Sequence, residues 1–215
     1  MTPDPSADRG PGRPADPPLG LRPGRPAAME LPLGLRPGRP AGTELPLGLR
    51  PGLPADVEPL LALMDEIVAW LVARDRSGQW GSAPMSGSPA IRTEFVDSIA
   101  AGILTVATRA GTVVGAVSLD GNRPPYVPTD LVPPHALWVH TLATSRSPAG
   151  RGAGALLLDH CRTRAAETGA PLALDHWSGS PELAALYARA GYREVGTVVV
   201  PQRSGPWHGT VRVRA

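Results

Sequence analysis

The stretch RSPAGRGAGALLLDH, Arg146 to His160, gathers four small residues, Gly150, Gly152, Ala153 and Gly154, around Arg151 directly before an apolar run. A tight turn needs perhaps one glycine, so this many lets something bulky and anionic approach the backbone. A strand precedes the turn and a helix follows it. The first N–H groups of that helix therefore lack internal partners and point outward, in a region of positive potential. A phosphate fits there, with Arg151 adding charge. The spacing is not that of a P-loop, which ends in Gly-Lys-Ser/Thr, and it lacks the first-strand setting of a dinucleotide fingerprint. Taken alone it is a weak signal, and a tight turn that packs a helix on a strand accounts for it.

Elements on both sides must hold this turn. Glu44 to Arg50 can form a first strand. Asp56 caps a helix to about Ala73, in which Leu60, Leu61, Met64, Ile67, Val68 and Leu71 recur at helical spacing. A Gly/Ser/Pro-rich loop (Ser77 to Ser88) leads to a second helix, Pro89 to Ala101. Strands Ile103 to Thr108 and Thr112 to Leu119 flank the hairpin signal RAGT. After a Pro-rich excursion, Asn122 to Pro134, come a strand Ala136 to Thr144, the glycine turn, and a helix to Thr168 closed by Gly169. Leu172 to Trp177 reads as a strand. Ser180 to Ala190 reads as a helix with Pro181 at its first position. YREVGTVVVPQ and WHGTVRVRA make two more strands. The order β-α-α-β-β-β-α-β-α-β-β predicts a three-layer α/β arrangement.

The run from Trp138 to Gly196 resembles the GNAT family of acyl-CoA-dependent N-acetyltransferases. Leu142-Ala143-Thr144 stands for the Leu-Ala-Val-like strand end of that family. Ala149 to Gly154 stands for its Arg/Gln-x-x-Gly-x-Gly/Ala turn, and LYARAGY for the Tyr-bearing helix that ends in Gly-Phe or Gly-Tyr. Ala149 replaces the usual Arg or Gln, and Ser180 the Asn of many relatives; both changes leave the backbone donors, and Arg151 or Arg146 can substitute for the lost charge. The resemblance implies a GNAT-like fold with a mixed central sheet and helices on both faces. It also implies acetyl-CoA as co-substrate and an amine acceptor, either a small molecule or a peptide amino group.

Within that resemblance the amides of Leu142, Ala143 and Thr144 would bind the pantetheine and polarise the thioester carbonyl. Gly150, Arg151, Gly152, Ala153 and Gly154 would hold the pyrophosphate, with Ser180 at the start of the last helix. Tyr187 would protonate the leaving thiolate, since a phenol near pH ~10 stays protonated beside a thiol near ~8.5. Its apolar stripe, Leu183, Leu186 and Ala190, also suits a core tyrosine. The base stays open between His140, on a strand face with Trp138 and Leu142, Asp175 on the neighbouring strand, and a water chain. Trp80 and Trp177 line the acceptor side or fill the core. Glu94 and Asp97 attract a cationic amine or only solvate a helix face.

Composition narrows the setting. All 21 basic residues are arginine, the net charge is +2 and the pI is 9.2. No aromatic-basic pattern of a nucleic-acid module is present. The single cysteine, Cys161, fits a reducing compartment. With no signal-like segment and no apolar run of membrane length, the expectation is a cytoplasmic protein.

PLGLRPGRPA occurs at 18–27 and 32–41 and PLGLRPGLPA at 46–55, a period of 14 residues. This predicts a disordered Pro/Gly/Arg-rich repeat tail over 1–42 ahead of a folded domain over 43–215. The strands TVVVP and TVRVR could pair across a homodimer. Two rival readings remain: a CoA-binding sensor without turnover, and an interaction protein working through its repeats.

Overall fold

The computed structural model of the protein describes residues 45–202 and 205–215; the tail expected over 1–42 lies outside the described residues. The described residues form one compact unit. Its strands are β1 (Leu47–Pro51), β2 (Leu104–Arg109), β3 (Thr112–Asp120), β4 (Leu137–Thr144), β5 (Leu172–Trp177), β6 (Arg193–Val200) and β7 (Trp207–Arg214). Its helices are α1 (Val57–Val72), α2 (Pro89–Ala100), α3 (Ala153–Thr168) and α4 (Pro181–Arg189).

The helix ends follow from local chemistry. Ser88 accepts the Ile91 N–H ahead of α2, and Ser180 accepts the Leu183 N–H ahead of α4, with Pro89 and Pro181 where no internal N–H is needed. Gly169 ends α3 at φ +65°, a left-handed value that glycine adopts at no steric cost. Asp56 departs from the expected cap. Its carboxylate turns back to accept two bonds from the Arg50 guanidinium, at 2.6 and 2.7 Å, and one from the Leu53 N–H at 2.7 Å. No side chain caps α1. Asp56 instead ties the β1 strand to the start of the helix, and the guanidinium holds its carboxyl below the usual carboxylate range.

The sheet runs β1-β2-β3-β4-β5-β7-β6. All pairings are antiparallel except β4 with β5, whose connection crosses over through α3. One face packs on α3 and α4 through a cluster that includes Val114, Val117, Val139, Leu157, Leu158, Leu172 and Leu174. The other face is shared. Leu60, Leu61, Met64, Ile67 and Phe95 of α1 and α2 cover Val106, Ala116 and Ala143. The Pro-rich excursion brings Val127 and Val132 over Trp138, Ala173, Val211 and Val213. Burying each large side chain of these clusters contributes about 1.5–3 kcal/mol.

Candidate active site

β4 and β5 pair only at Leu137 with Leu172 and Trp138 with Ala173. Beyond that point the strands part, so the β5-facing edge of β4 lacks ladder partners from Val139 to Thr144. A bulge accompanies the split. On β3, Ser118 and Ala116 are two residues apart; their partners His140 and Ala143 on β4 are three apart. The extra residue brings Thr141 to φ +35°, an unusual conformation for a β-branched side chain. The bulge breaks strand alternation. Leu142 therefore does not share the face of Trp138 and His140, as simple alternation predicts, but packs with Val139 toward α3. Ser145 donates to the Val114 carbonyl at 2.9 Å. By alternation Ala143 turns its N–H toward β3, and Thr144 turns its N–H toward the open edge.

The glycine turn begins where β4 ends. Gly150 is buried, and a Cβ there would fall 2.2 Å from the Ser145 carbonyl oxygen, so the close return of the chain demands glycine. Gly152 sits at φ +84° as the residue before α3 and supplies no side-chain cap. The first bond of the helix is Leu156 N–H to the Gly152 carbonyl, leaving the N–H groups of Ala153, Gly154 and Ala155 ahead of it. Arg151 is exposed, and its carbonyl accepts from the Arg109 guanidinium at 2.9 Å. The Arg146 guanidinium lies 4.7 Å from the centre of the Trp70 ring, while the main-chain N–H of Arg146 donates to Glu66 at 2.6 Å. The uncapped helix start and the flanking arginines fit a pyrophosphate. Ser180 is buried and lies outside the cleft; its hydroxyl is occupied by the Leu183 N–H and by Glu182.

The split opens a cavity of about 400 Å³ that passes through the sheet, so residues of both faces meet in it. Tyr187, His140 and Asp175 all line it, with Leu142, Arg146, Glu94, Trp80 and Trp177. Asp97 and the turn glycines do not. Tyr187 is buried, and burial, reinforced by the charge of Asp175, pushes its phenol up to about 12. Its ring packs against those of His176, at 5.3 Å, and Tyr192, at 6.0 Å. His176 is itself fixed. Its Nδ1 bonds the Trp177 carbonyl at 2.9 Å, and its Nε2 accepts from Arg212 at 2.9 Å. Burial lowers its pKa, so this imidazole is neutral.

His140 and Asp175 each have a partner that the sequence did not reveal. The Nε2 of His140 lies 3.1 Å from the Asp120 carboxylate, which also accepts two bonds from Asn122, both at 2.8 Å. A carboxylate only accepts, so the neutral ring carries its proton on Nε2 and leaves the lone pair on Nδ1. Asp175 accepts from the Tyr126 hydroxyl at 3.3 Å. Burial holds its carboxyl above the usual range, against the opposing pull of Tyr126 and His140. Tyr126 and Trp207 also line the cavity. Asp120 could have been suspected from its place at the end of the strand antiparallel to β4. Tyr126, inside the Pro-rich excursion, gave no signal. Among the described residues no group of His, Cys, Asp or Glu is placed to hold a metal ion, and no helix is long and apolar enough to cross a membrane.

Known proteins share this architecture. A GCN5-related N-acetyltransferase from Rhodopseudomonas palustris superposes with a TM-score of 0.58 at 21% identity, covering 78% of this chain and 94% of its own. An N-acetyltransferase from Staphylococcus aureus Mu50 gives 0.58 at 15% identity, covering 78% and 97%. A ribosomal-protein-alanine N-acetyltransferase from Brucella melitensis gives 0.57 at 22% identity, covering 77% and 98%. No curated protein matches the sequence. At these identities the solved structures speak for the fold. The family model for the acetyltransferase (GNAT) family matches residues 62–192, which hold the split strands, the glycine turn and Tyr187. The chain belongs to the GNAT acetyltransferase family.

Proposed function

We propose that the protein transfers an acetyl group from acetyl-CoA to the amino group of an acceptor by direct attack on the thioester. The observation that carries this reading is the cleft through the sheet. It sets Tyr187, His140 and Asp175 around one cavity whose rim includes the open edge of β4. Acetyl-CoA supplies an activated acyl carbon and a thiolate leaving group.

The chain's own residues do the rest. The Thr144 N–H at the open edge and the turn Gly150–Gly154 hold the donor. His140, kept in one tautomer by Asp120, takes the proton that the ammonium must lose before its nitrogen can attack; Asp175, with its raised pKa, is the second acceptor for that proton. As the C–N bond forms and the C–S bond breaks, Tyr187 gives its proton to the sulfur, and the second proton shed by the acylated nitrogen passes through solvent to restore the phenol. A phenol held near 12 is fully protonated at neutral pH. We assign the catalytic unit to residues 43–215 and the reaction to the cytoplasm, in keeping with a single cysteine buried within α3.

Tyr187→Phe keeps the ring against His176 and removes the proton. Turnover, measured as CoA release on an acceptor the wild type uses, should fall by about 10²–10⁴, while the thermal shift produced by acetyl-CoA stays. Wild-type turnover in the variant would return Tyr187 to the core. A wild type that binds acetyl-CoA yet acetylates nothing in a broad amine panel would make the protein a sensor.

A further inference from the structure

The far side of the cavity is walled by aromatic rings. Trp80 comes from the loop after α1, Tyr126 from the Pro-rich excursion, Trp177 from the end of β5 and Trp207 from the start of β7. These rings are seated by the protein itself. The Trp177 indole rests against two main-chain segments: a Cβ would come within 2.7 Å of it at Gly78 and within 2.2 Å at Gly179. Tyr126 and Trp207 meet edge to face at 6.4 Å. Flat walls fixed before a ligand arrives favour a flat apolar body, and ring faces attract an ammonium.

Charge is distributed unevenly along the same cavity. Two carboxylates line it: Glu94, which accepts from the Thr141 hydroxyl at 3.3 Å, and Asp175, bonded to Tyr126. The lining guanidinium, Arg146, lies past the end of β4, stacked on Trp70 beside the glycine turn. An amine entering from the aromatic side thus meets anions, and an acceptor carrying its own carboxylate would be repelled by Glu94 and Asp175. The space, about 400 Å³ and shared with the thioester arm, admits one small molecule.

We propose that the acceptor is a small arylalkylammonium ion without a carboxylate, its ring held among Trp80, Trp177, Trp207 and Tyr126 and its ammonium directed by Glu94 and Asp175. This rests on the acyl-transfer reading above and adds the substrate class.

The test titrates the full-length protein with 2-phenylethylamine, phenylalanine and spermidine, with and without coenzyme A, following tryptophan fluorescence. CoA release from acetyl-CoA is then measured with each amine. Phenylethylamine should give a saturable change at least about tenfold tighter than phenylalanine or spermidine. Glu94→Gln, an exposed change that spares the core, should weaken phenylethylamine about fivefold and narrow its margin over phenylalanine. Equal binding of phenylalanine or spermidine, no saturable change with phenylethylamine, or an unaffected Glu94→Gln variant would each overturn the proposal. Selective binding without CoA release supports the ligand class and counts against acyl transfer alone. CoA release with other amines, without phenylethylamine binding, overturns the class and leaves acyl transfer standing.

Discussion

The two sides of the cleft are made of different material. On the α3 and α4 side the functional groups are mostly main chain: the open edge of β4, the close return at Gly150 and the uncapped N–H groups at the start of α3. On the α1 and α2 side they are side chains, and Trp80, Glu94, Tyr126, Asp175 and Trp207 come from five separate segments. The first kind of site needs a short run of residues in the right order. The second exists only once the whole sheet has formed. Family membership fits this division, because a shared donor asks for a fixed backbone while side chains are free to set the acceptor.

The division can be tested by perturbing one side at a time. Gly152→Glu places a carboxylate and a Cβ at φ +84° before α3, and should abolish the acetyl-CoA thermal shift, a loss of at least about 100-fold in affinity. Trp207→Ala should leave that shift intact; if it too lost the shift, the two sides would not be separable. Asp120→Asn should cost about tenfold in kcat/KM by loosening His140, with acetyl-CoA binding unaltered. A wild-type pH–rate profile in that variant would remove His140 from the reaction. Gly179→Ala pushes on the Trp177 indole and should raise the acceptor KM several-fold with the acetyl-CoA KM unchanged.

The smallest effect on chemistry is expected from Asp56→Ala, remote from both sides. It should cost about 1–2 kcal/mol of stability at pH 7, discounted for the partial exposure of Arg50, and leave turnover intact. Because the Asp56 pKa is lowered in the folded state, its contribution is present above the unfolded value near ~3.9 and is lost as the pH falls through the folded value. Urea midpoints of the two proteins should therefore differ at pH 7 and converge in strong acid.

Much of the fold was legible in the chain because its signals are local. The stripe Leu60 to Leu71, the Ser88-Pro89 and Ser180-Pro181 starts and the Gly169 stop all act within one or two turns, and each element stands where they place it. Asp56 was misread as a cap because its stronger partner, Arg50, lies in the strand before the helix. The glycine turn could be seen, but two of its glycines are already required by the backbone, so their number alone did not imply an anion. Asp120, Tyr126 and Trp207 were not legible as a group: they lie at positions 120, 126 and 207, and only sheet pairing and the Pro-rich excursion bring Tyr126 and Trp207 to one cavity and Asp120 to the His140 that lines it.

The bulge at Thr141 makes the site depend on a count as much as on residue types. Flatten the bulge with every residue kept, and β4 would regain simple alternation against β3, its end shifted by one position. Leu142 would turn back to the face of His140, and the Thr144 N–H would exchange places with its neighbour in the ladder. A comparison of relatives by residue identity would not register such a change. In three dimensions it would reverse which way the whole strand end faces, so a relative with a flat β4 keeps these faces only with one residue fewer between His140 and Gly150.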